Sequence, residues 1–400
     1  HSLSNGAILS SMDISDSFFI VRNSPRAEKY SAIETPIGVL CPTRMQQGLC
    51  GSPWTLQRLI SAIFEKETFG TKQEPEGWLS TYFDDVTVRT SGPPTIEGSV
   101  QEHYEKLRGV LLKMKKHGIP LNPAKSQLFK LNIEILGYLA GQGKVRMDRK
   151  KVQTILDMEP PTNVPEVRRL MGLVQHNRTF IRGLAKFTAP IAKLTGKSGF
   201  EWNDECSEAF SKLKRALVSA PLLHMPRGHG SYELETDASD THCGGSLYQF
   251  QTNPETGETE RNLIGNFSRK LSPQQQTWST HKQELLAIVQ ACEHYDHLLR
   301  FSPGLELFTD SEAAKTLLTK EQTQENDISE SRLRNRLNVY RSIIHYRKGE
   351  NNKAADFLSR PPGSDSYILR VLDCAAGLGS TLIAFERLAE KGLLRQVKGL

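Results

Sequence analysis

Three successive patterns of apolar and polar positions run along the chain. Over the first 140 residues, short strand-like runs alternate with helical ones. Residues 8–20 read as a strand, a turn and a second strand-like apolar run. Residues 53–66 carry Leu56, Ile60, Ile63 and Phe64 at helical spacing. Residues 78–89 read as two short strands around a polar turn, and 99–117 place Leu107, Val110, Leu111 and Met114 on one helical face with Lys and Arg opposite. Residues 133–139 form a further strand candidate, and Gly141-Gln142-Gly143 a tight turn.

Residues 150–225 change to a helical, basic pattern. Pro160-Pro161 marks a hinge, and Asn163 followed by Glu166 three residues later has the form of a helix start. From Tyr232 the pattern changes again. Residues 232–237, 245–250 and 262–267 are strand-like, 281–299 form a long helix, and 305–310 and 343–346 are strands. Strands, helix, strand, helices, strand is an α/β or α+β order. Pro361-Pro362-Gly363-Ser364 reads as a linker, with a new unit starting at Tyr367.

The chain has 400 residues, which predicts two or three domains. A hydrophobic share of 38% and a charged share of 24% exclude a disordered chain. The net charge of +6 suits a polyanionic partner without requiring one. Six scattered cysteines, with no CxxC pair, point to a reducing intracellular compartment, cytoplasmic or nuclear. No apolar run reaches the roughly 18–20 residues that span a bilayer, so no membrane partner is expected. The first residue is His1 and the last stretch ends inside a motif, which leads to the expectation of a fragment.

Asp84 and Asp85 stand between Tyr82-Phe83 and Val86-Thr87-Val88. Alone, such a pair is an ordinary polar turn. Two adjacent carboxylates on a tight turn raise each other's pKa unless a cation lies between them, and Mg²⁺, a hard ion taking oxygen ligands, is the usual solution. Asp13, in Ser11-Met12-Asp13-Ile14-Ser15, offers a third carboxylate. Three would hold two metals about 3.5–4 Å apart, one activating a hydroxyl and one holding a leaving group. Between them, Gln46-Gln47-Gly48-Leu49-Cys50-Gly51-Ser52-Pro53 heads a helix. Its glycines allow close backbone approach and its N-terminus favours phosphate.

These motifs, together with Leu121-Asn122-Pro123-Ala124-Lys125 and Leu136-Gly137-Tyr138, resemble the reverse transcriptases of long-terminal-repeat retroelements, nearest the gypsy-like group, over most of residues 7–360. The resemblance implies that Asp13, Asp84 and Asp85 are the metal-binding triad and that Phe18 is the gate beneath the incoming sugar. It places Gln47 and Gly48 at the incoming nucleotide, Lys125 near its phosphates, and Gly137 and Tyr138 in the primer grip. Met45-Gln46-Gln47-Gly48 departs from the family's usual Pro-containing run, and only about a dozen residues precede Asp13, so the fingers are expected to be largely missing.

Further on, Asp237 and Asp310 end apolar strands, Glu284 sits beside Leu285, Leu286, Ile288 and Val289 on the long helix, and Asp356 begins a last helix. Asp at strand ends and helix starts is frequent, and each alone means little. Four carboxylates of this kind can converge on one divalent-metal site. Their order, and Gly349 to Arg360 in particular, resembles the RNase H domain of the same elements, which implies Asp237, Glu284, Asp310 and Asp356 as metal ligands that activate water for cleavage of RNA in a hybrid. Ser311 departs from the His usual after the third ligand. Arg168, Arg169, Arg178 and Lys186 are candidates for phosphate contacts. Cys292, His294 and His297 share one helix and read better as structural residues than as a zinc site.

The expected fold is therefore multidomain, mixed α/β and α+β. It comprises a polymerase palm with incomplete fingers over 1–140, a helical thumb or connection over 141–228, an RNase H-like fold over 229–360, and a linker with a truncated Rossmann-like stub over 361–400. In that stub Asp373, Gly377 and Gly379 resemble the first cofactor loop of an S-adenosylmethionine-dependent methyltransferase. The expected activities are RNA-directed DNA synthesis and RNase H cleavage, with Mg²⁺ or Mn²⁺ as cofactor. The expected partners are an RNA template, a DNA primer, an RNA–DNA hybrid, dNTPs and other domains of a Pol polyprotein. The alternatives are a truncated, inactive nucleic-acid-binding product, and a DNA cytosine methyltransferase fused to retroelement sequence.

Overall fold

The computed structural model describes residues 8–71, 77–91, 96–196, 199–228, 230–252, 257–319 and 328–347. They form two compact units that divide between Gly143 and Lys144.

The first unit is built on the strand β1 (Ile8–Ile14), which is buried on nearly every residue. A small hairpin, β2 (Ile33–Thr35) and β3 (Gly38–Leu40), follows, then the helix α1 (Ser52–Ile63). Next come β4 (Leu79–Tyr82), β5 (Asp85–Thr90), the helix α2 (Gln101–His117) and β6 (Leu121–Lys130). The sheet order is β4-β5-β1-β6, with each neighbouring pair antiparallel. Met12 and Val86 from the sheet pack with Leu56 and Ile60 of α1 and Leu107, Val110 and Met114 of α2. These are the helix-spaced positions expected from the sequence, and their shared burial holds α1 and α2 to the sheet.

Buried polar groups tie the same strand down. Ser10 Oγ and Thr90 Oγ1 lie 2.7 and 2.9 Å from the two ring nitrogens of His103, a fully buried residue of α2. Burial, with Lys106 adding to it, lowers the His103 pKa to about 4 and so keeps the ring neutral.

Two expectations are corrected in this unit. The apolar run after β1 is a short 3-10 helix, Ser17–Ile20, because Asp16 turns left-handed at φ 48° and ends the strand. The single strand expected over 133–139 is a hairpin, β7 (Ile133–Ile135) and β8 (Tyr138–Gly141), turned by Leu136 and Gly137, both at positive φ. The motif at 121–125 lies within β6, where Pro123 is accommodated by irregular register against β1.

The second unit opens with β9 (Lys144–Met147), then the helices α3 (Arg149–Leu156), α4 (Val164–His176), α5 (Leu184–Lys193) and α6 (Asp204–Val218). Asn163 caps α4 as expected, its side chain accepting from the Glu166 N–H at 2.9 Å. After β10 (Leu223–His224) comes a meander of β11 (Tyr232–Ala238), β12 (His242–Thr252) and β13 (Thr259–Lys270). The helix α7 (Thr280–His294), β14 (Leu305–Thr309), α8 (Glu312–Thr319), α9 (Ile328–Leu337) and β15 (Ser342–Tyr346) complete it. The sheet order is β13-β12-β11-β14-β15, with β14 parallel to both its neighbours.

The helix expected over 281–299 is broken at Tyr295, where the backbone leaves helical geometry before a short turn, Asp296–Leu299. Strand β12 carries Gly245 where it comes closest to β11. A Cβ there would stand 2.8 Å from the Glu235 carbonyl oxygen and 3.5 Å from Ala291 of α7. Among the described residues no helix is long and apolar enough to cross a membrane. The final 53 residues, with the linker and the Rossmann-like stub, lie outside the described residues.

Candidate active sites

In the first unit, Asp13 sits one residue before the end of β1 and faces Asp85, the first residue of β5. The turn joining β4 to β5 is Phe83-Asp84, and the Ile14 N–H donates to the Asp84 carbonyl at 2.9 Å. The three expected carboxylates therefore come together from one strand end and one turn. Partial burial, followed by the charges of Asp84 and Asp13, raises the Asp85 pKa, while Lys125 pulls it down. Lys125 Nζ lies 3.6 Å from Asp13 Oδ2.

Asp13, Phe18, Gln47, Asp84 and Lys125 all line one cavity of about 350 Å³. Gly48 follows Gln47 at φ 87°, a conformation that suits glycine. Asn122, which the sequence reading left without a role, lines the same cavity. Gly137 and Tyr138 belong to the β7–β8 hairpin and do not line it.

A second residue without a role in the sequence reading is Gln57 of α1. Phe83 sits at φ 53°, a strained position for a bulky side chain. Its N–H donates to Gln57 Oε1 at 2.6 Å, and Gln57 Nε2 donates to Thr81 Oγ1 at 3.2 Å. One side chain thus ties the start of the turn that carries Asp84 to the strand β4 before it. A glutamine on a helix facing apolar positions gives no sequence signal for this, since the contact is set by packing.

In the second unit, Asp237 lies near the end of β11, Asp310 directly follows β14, and Glu284 projects from the second turn of α7. One ligand oxygen from each lies within 4.8 Å of the others, and among the described residues this is the only such group of acidic, histidine or cysteine side chains. Glu284 is 3% exposed. The Ala238 N–H donates to its Oε1 at 3.0 Å, and its Oε2 is buried without a hydrogen-bond partner. Burial first, then Asp310 and Asp237, push the Glu284 pKa up to about 8, while the Ala238 bond opposes this. Burial and Asp237 also raise Asp310.

Three hard oxygen donors around an unpartnered buried oxygen fit a divalent cation such as Mg²⁺. Lys186 Nζ stands 3.8 Å from Asp237 Oδ2. The fourth expected ligand, Asp356, and the loop residues Asp373, Gly377 and Gly379 lie outside the described residues.

Residues 1–139 match the family model of reverse transcriptase (RNA-dependent DNA polymerase), and residues 202–304 match that of the RNase H-like domain found in reverse transcriptase. The chain carries a reverse transcriptase domain and an RNase H-like domain.

Its relatives include the retrovirus-related Pol polyprotein from transposon opus of Drosophila melanogaster, 26% identical over 384 residues, covering 93% of this chain and 36% of that protein. The transposon Tf2-3 polyprotein of Schizosaccharomyces pombe is 26% identical over 360 residues, covering 90% of this chain and 26% of that protein. The chain thus spans about a third and a quarter of the length of these relatives.

The fold is also that of solved reverse transcriptases. The foamy viral protease-reverse transcriptase in complex with RNA/DNA hybrid superposes with a TM-score of 0.71 at 17% identity, covering 87% of this chain and 45% of that one. The same enzyme in complex with dsDNA gives 0.69 at 18% identity, with coverage of 87% and 70%.

In the RNase H-like domain, Cys292 and His294 take structural places. Cys292 is fully buried, and the His294 ring packs 5.0 Å from Phe267 and 4.7 Å from Tyr295.

Proposed function

We propose that the protein carrying this chain copies RNA into DNA at the Asp13, Asp84 and Asp85 centre. At the Asp237, Glu284 and Asp310 centre it hydrolyses the RNA strand of RNA–DNA hybrids. The observation that carries this reading is the pairing of Asp13 with Asp85 across β1 and β5, with Asp84 on the adjoining turn. It brings the three carboxylates together, and two of them, Asp13 and Asp84, line a cavity that also presents Phe18, Gln47 and Lys125.

The residues divide the work. Asp13, Asp84 and Asp85 hold the cation, here Mg²⁺ or Mn²⁺. Lys125 offers positive charge to the triphosphate of a dNTP. Phe18 bounds the space beneath the sugar, and Gln47 with Gly48 approaches the nucleotide through backbone and amide. Gly137 and Tyr138 hold the primer end. Bound cations would activate the attacking hydroxyl or water and neutralise the leaving oxygen. In the second centre Asp237, Glu284 and Asp310 hold the cation, and Asp356 is the fourth ligand.

The template is RNA, the primer DNA, and the compartment cytoplasmic or nuclear. Within the transposon polyproteins we place the chain in the gypsy-like group, beside other Pol domains. The resemblance of Asp373, Gly377 and Gly379 to an S-adenosylmethionine loop supports the start of a further domain, beyond the described residues.

Primer extension on an RNA template with Mg²⁺ tests the reading. Asp84→Asn and Asp85→Asn are each expected to abolish extension. Extension that survives both substitutions would sink the assignment, and hybrid binding with neither extension nor cleavage would favour an inactive binding protein.

A further inference from the structure

Away from both carboxylate centres, the second unit holds a cavity of about 330 Å³ between α4, α5 and the edge strand β13. Arg178, Arg269, Lys270 and His294 line it, and no carboxylate does. Arg178, Arg269 and Lys270 are exposed and form no ion pair among the described residues. Cations left unpaired around a concave wall concentrate positive potential there.

The wall itself is fixed. Ser268 Oγ accepts from the Ala185 N–H of α5 at 3.0 Å. Asn266 Nδ2 donates to the Thr179 carbonyl at 3.1 Å, and Asn266 Oδ1 pairs with Ser246 Oγ at 2.8 Å. These bonds lock the edge strand to the helices, so the cations project from a rigid frame.

Strand register relates this wall to the carboxylates. Asp237 faces Gly244, and Gly244 faces Ser268. Ser268 therefore lies two interstrand steps from Asp237, roughly 10 Å. Gly244 leaves no side chain between them, and Lys270, two residues on, shares that face. Helix α5 spans the same gap, with Ala185 at the cavity and Lys186 Nζ 3.8 Å from Asp237 Oδ2.

We propose that this cavity binds a backbone phosphate of an RNA–DNA hybrid, about two interstrand steps from Asp237, and so sets which phosphodiester reaches the Asp237, Glu284 and Asp310 centre. The proposal rests on the RNase H-like reading of that centre. A hybrid is the occupant that fits, because its phosphates repeat along one strand. One phosphate in the cavity and another at the carboxylates can belong to the same strand. Arg178, Arg269 and Lys270 would engage the phosphate oxygens as charge-assisted donors.

Binding of the full chain to an RNA–DNA hybrid in EDTA, followed by fluorescence anisotropy over a salt series, tests this without any catalysis. Arg178→Ala, Arg269→Ala and Lys270→Ala are each expected to weaken binding several-fold. The triple variant should also lower the slope of log affinity against log salt by about 0.9, the value for one phosphate contact. Arg336→Ala removes the same charge from a residue already paired with Glu293 at 2.6 Å, and should leave both quantities at the wild-type level. If the three cavity variants behave like Arg336→Ala while the wild type binds hybrid, the cavity proposal is overturned and the RNase H-like reading stands. If the wild type does not bind hybrid at all, that reading fails and this proposal with it.

Discussion

Asp85 and Glu284 are both carboxylates held above their ordinary pKa, and they are held there differently. Asp85 stands at a strand start, and Lys125, which lies 3.6 Å from Asp13, offsets part of the repulsion from its acidic neighbours. Glu284 is buried on a helix, and the one interaction that lowers its pKa is the Ala238 N–H. The first centre opens onto a cavity that takes in Phe18 and Gln47. In the second, a ligand oxygen from each side chain lies within 4.8 Å of the others, and Glu284 Oε2 has no hydrogen-bond partner. The first centre is thus tempered by a cation of the chain itself and left open for a substrate. The second has Lys186 within 3.8 Å of Asp237, yet it leaves a buried oxygen of Glu284 without a partner, which fits a metal ion.

Metal titration presses hardest on that contrast. Calorimetric titration of the nucleic-acid-free protein with Mn²⁺ should reveal binding at the second centre. Glu284→Gln should weaken it by more than about 100-fold, beyond the 10–100-fold typical of residues in the outer shell of a metal site. Asp84→Asn should leave that binding in place. Equal affinity in wild type and Glu284→Gln would remove the distinction between the two centres.

A smaller effect separates the frames that carry them. Gly245→Ala puts a Cβ 2.8 Å from the Glu235 carbonyl oxygen of β11, so the sheet must shift. The expected loss is about 1–3 kcal/mol of stability in the second unit, read by denaturant unfolding, and hybrid cleavage should weaken with it. Unchanged stability would mean that the close approach of β12 to β11 does not depend on glycine at this position. In the first unit the corresponding support is Gln57. Gln57→Leu leaves the Phe83 N–H without its acceptor, and about a 10-fold loss of primer extension is expected with hybrid cleavage unchanged.

Much of this was legible in the sequence. The apolar spacing of Leu56, Ile60, Leu107, Val110 and Met114 located two helices and their buried faces, because a helix packed on a sheet must repeat its apolar contacts every three or four residues. The family resemblance pointed to two groups of carboxylates, and the structure brings Asp13, Asp84 and Asp85 together and Asp237, Glu284 and Asp310 together. Local pattern could not show where a strand is stopped by a single residue at positive φ. Asp16 ended β1 and Leu136 split the 133–139 strand, although neither is glycine. It also could not show support that comes from packing across long sequence separation, as Gln57 to Phe83 and His103 to Ser10 do. The unpaired cations of the β13 cavity were visible as basic residues, but their convergence depends on strand register.

The response to pH differs in sign between the units. His103 has its pKa lowered to about 4, so its contribution is present above its ordinary value of 6.5 and is lost as pH falls toward 4. Glu284 has its pKa raised to about 8, so its contribution is present below its ordinary value of 4.5 and is lost as pH rises through 8. Each slope is at most about 1.4 kcal/mol per pH unit for one proton. Unfolding in EDTA between pH 4 and 9 should show Glu284→Gln flattening the alkaline limb and His103→Asn the acidic one. Identical profiles for wild type and both variants would contradict the burial of these groups.

The central claim is that one chain carries two separate carboxylate centres with two separate chemistries. The most direct test assays primer extension on RNA and cleavage of an RNA–DNA hybrid in the same preparations, with Mg²⁺, for wild type, Asp85→Asn and Glu284→Gln. Reciprocal loss is predicted: Asp85→Asn loses extension and keeps cleavage, and Glu284→Gln loses cleavage and keeps extension. Loss of both activities in either variant, or of neither, would contradict it.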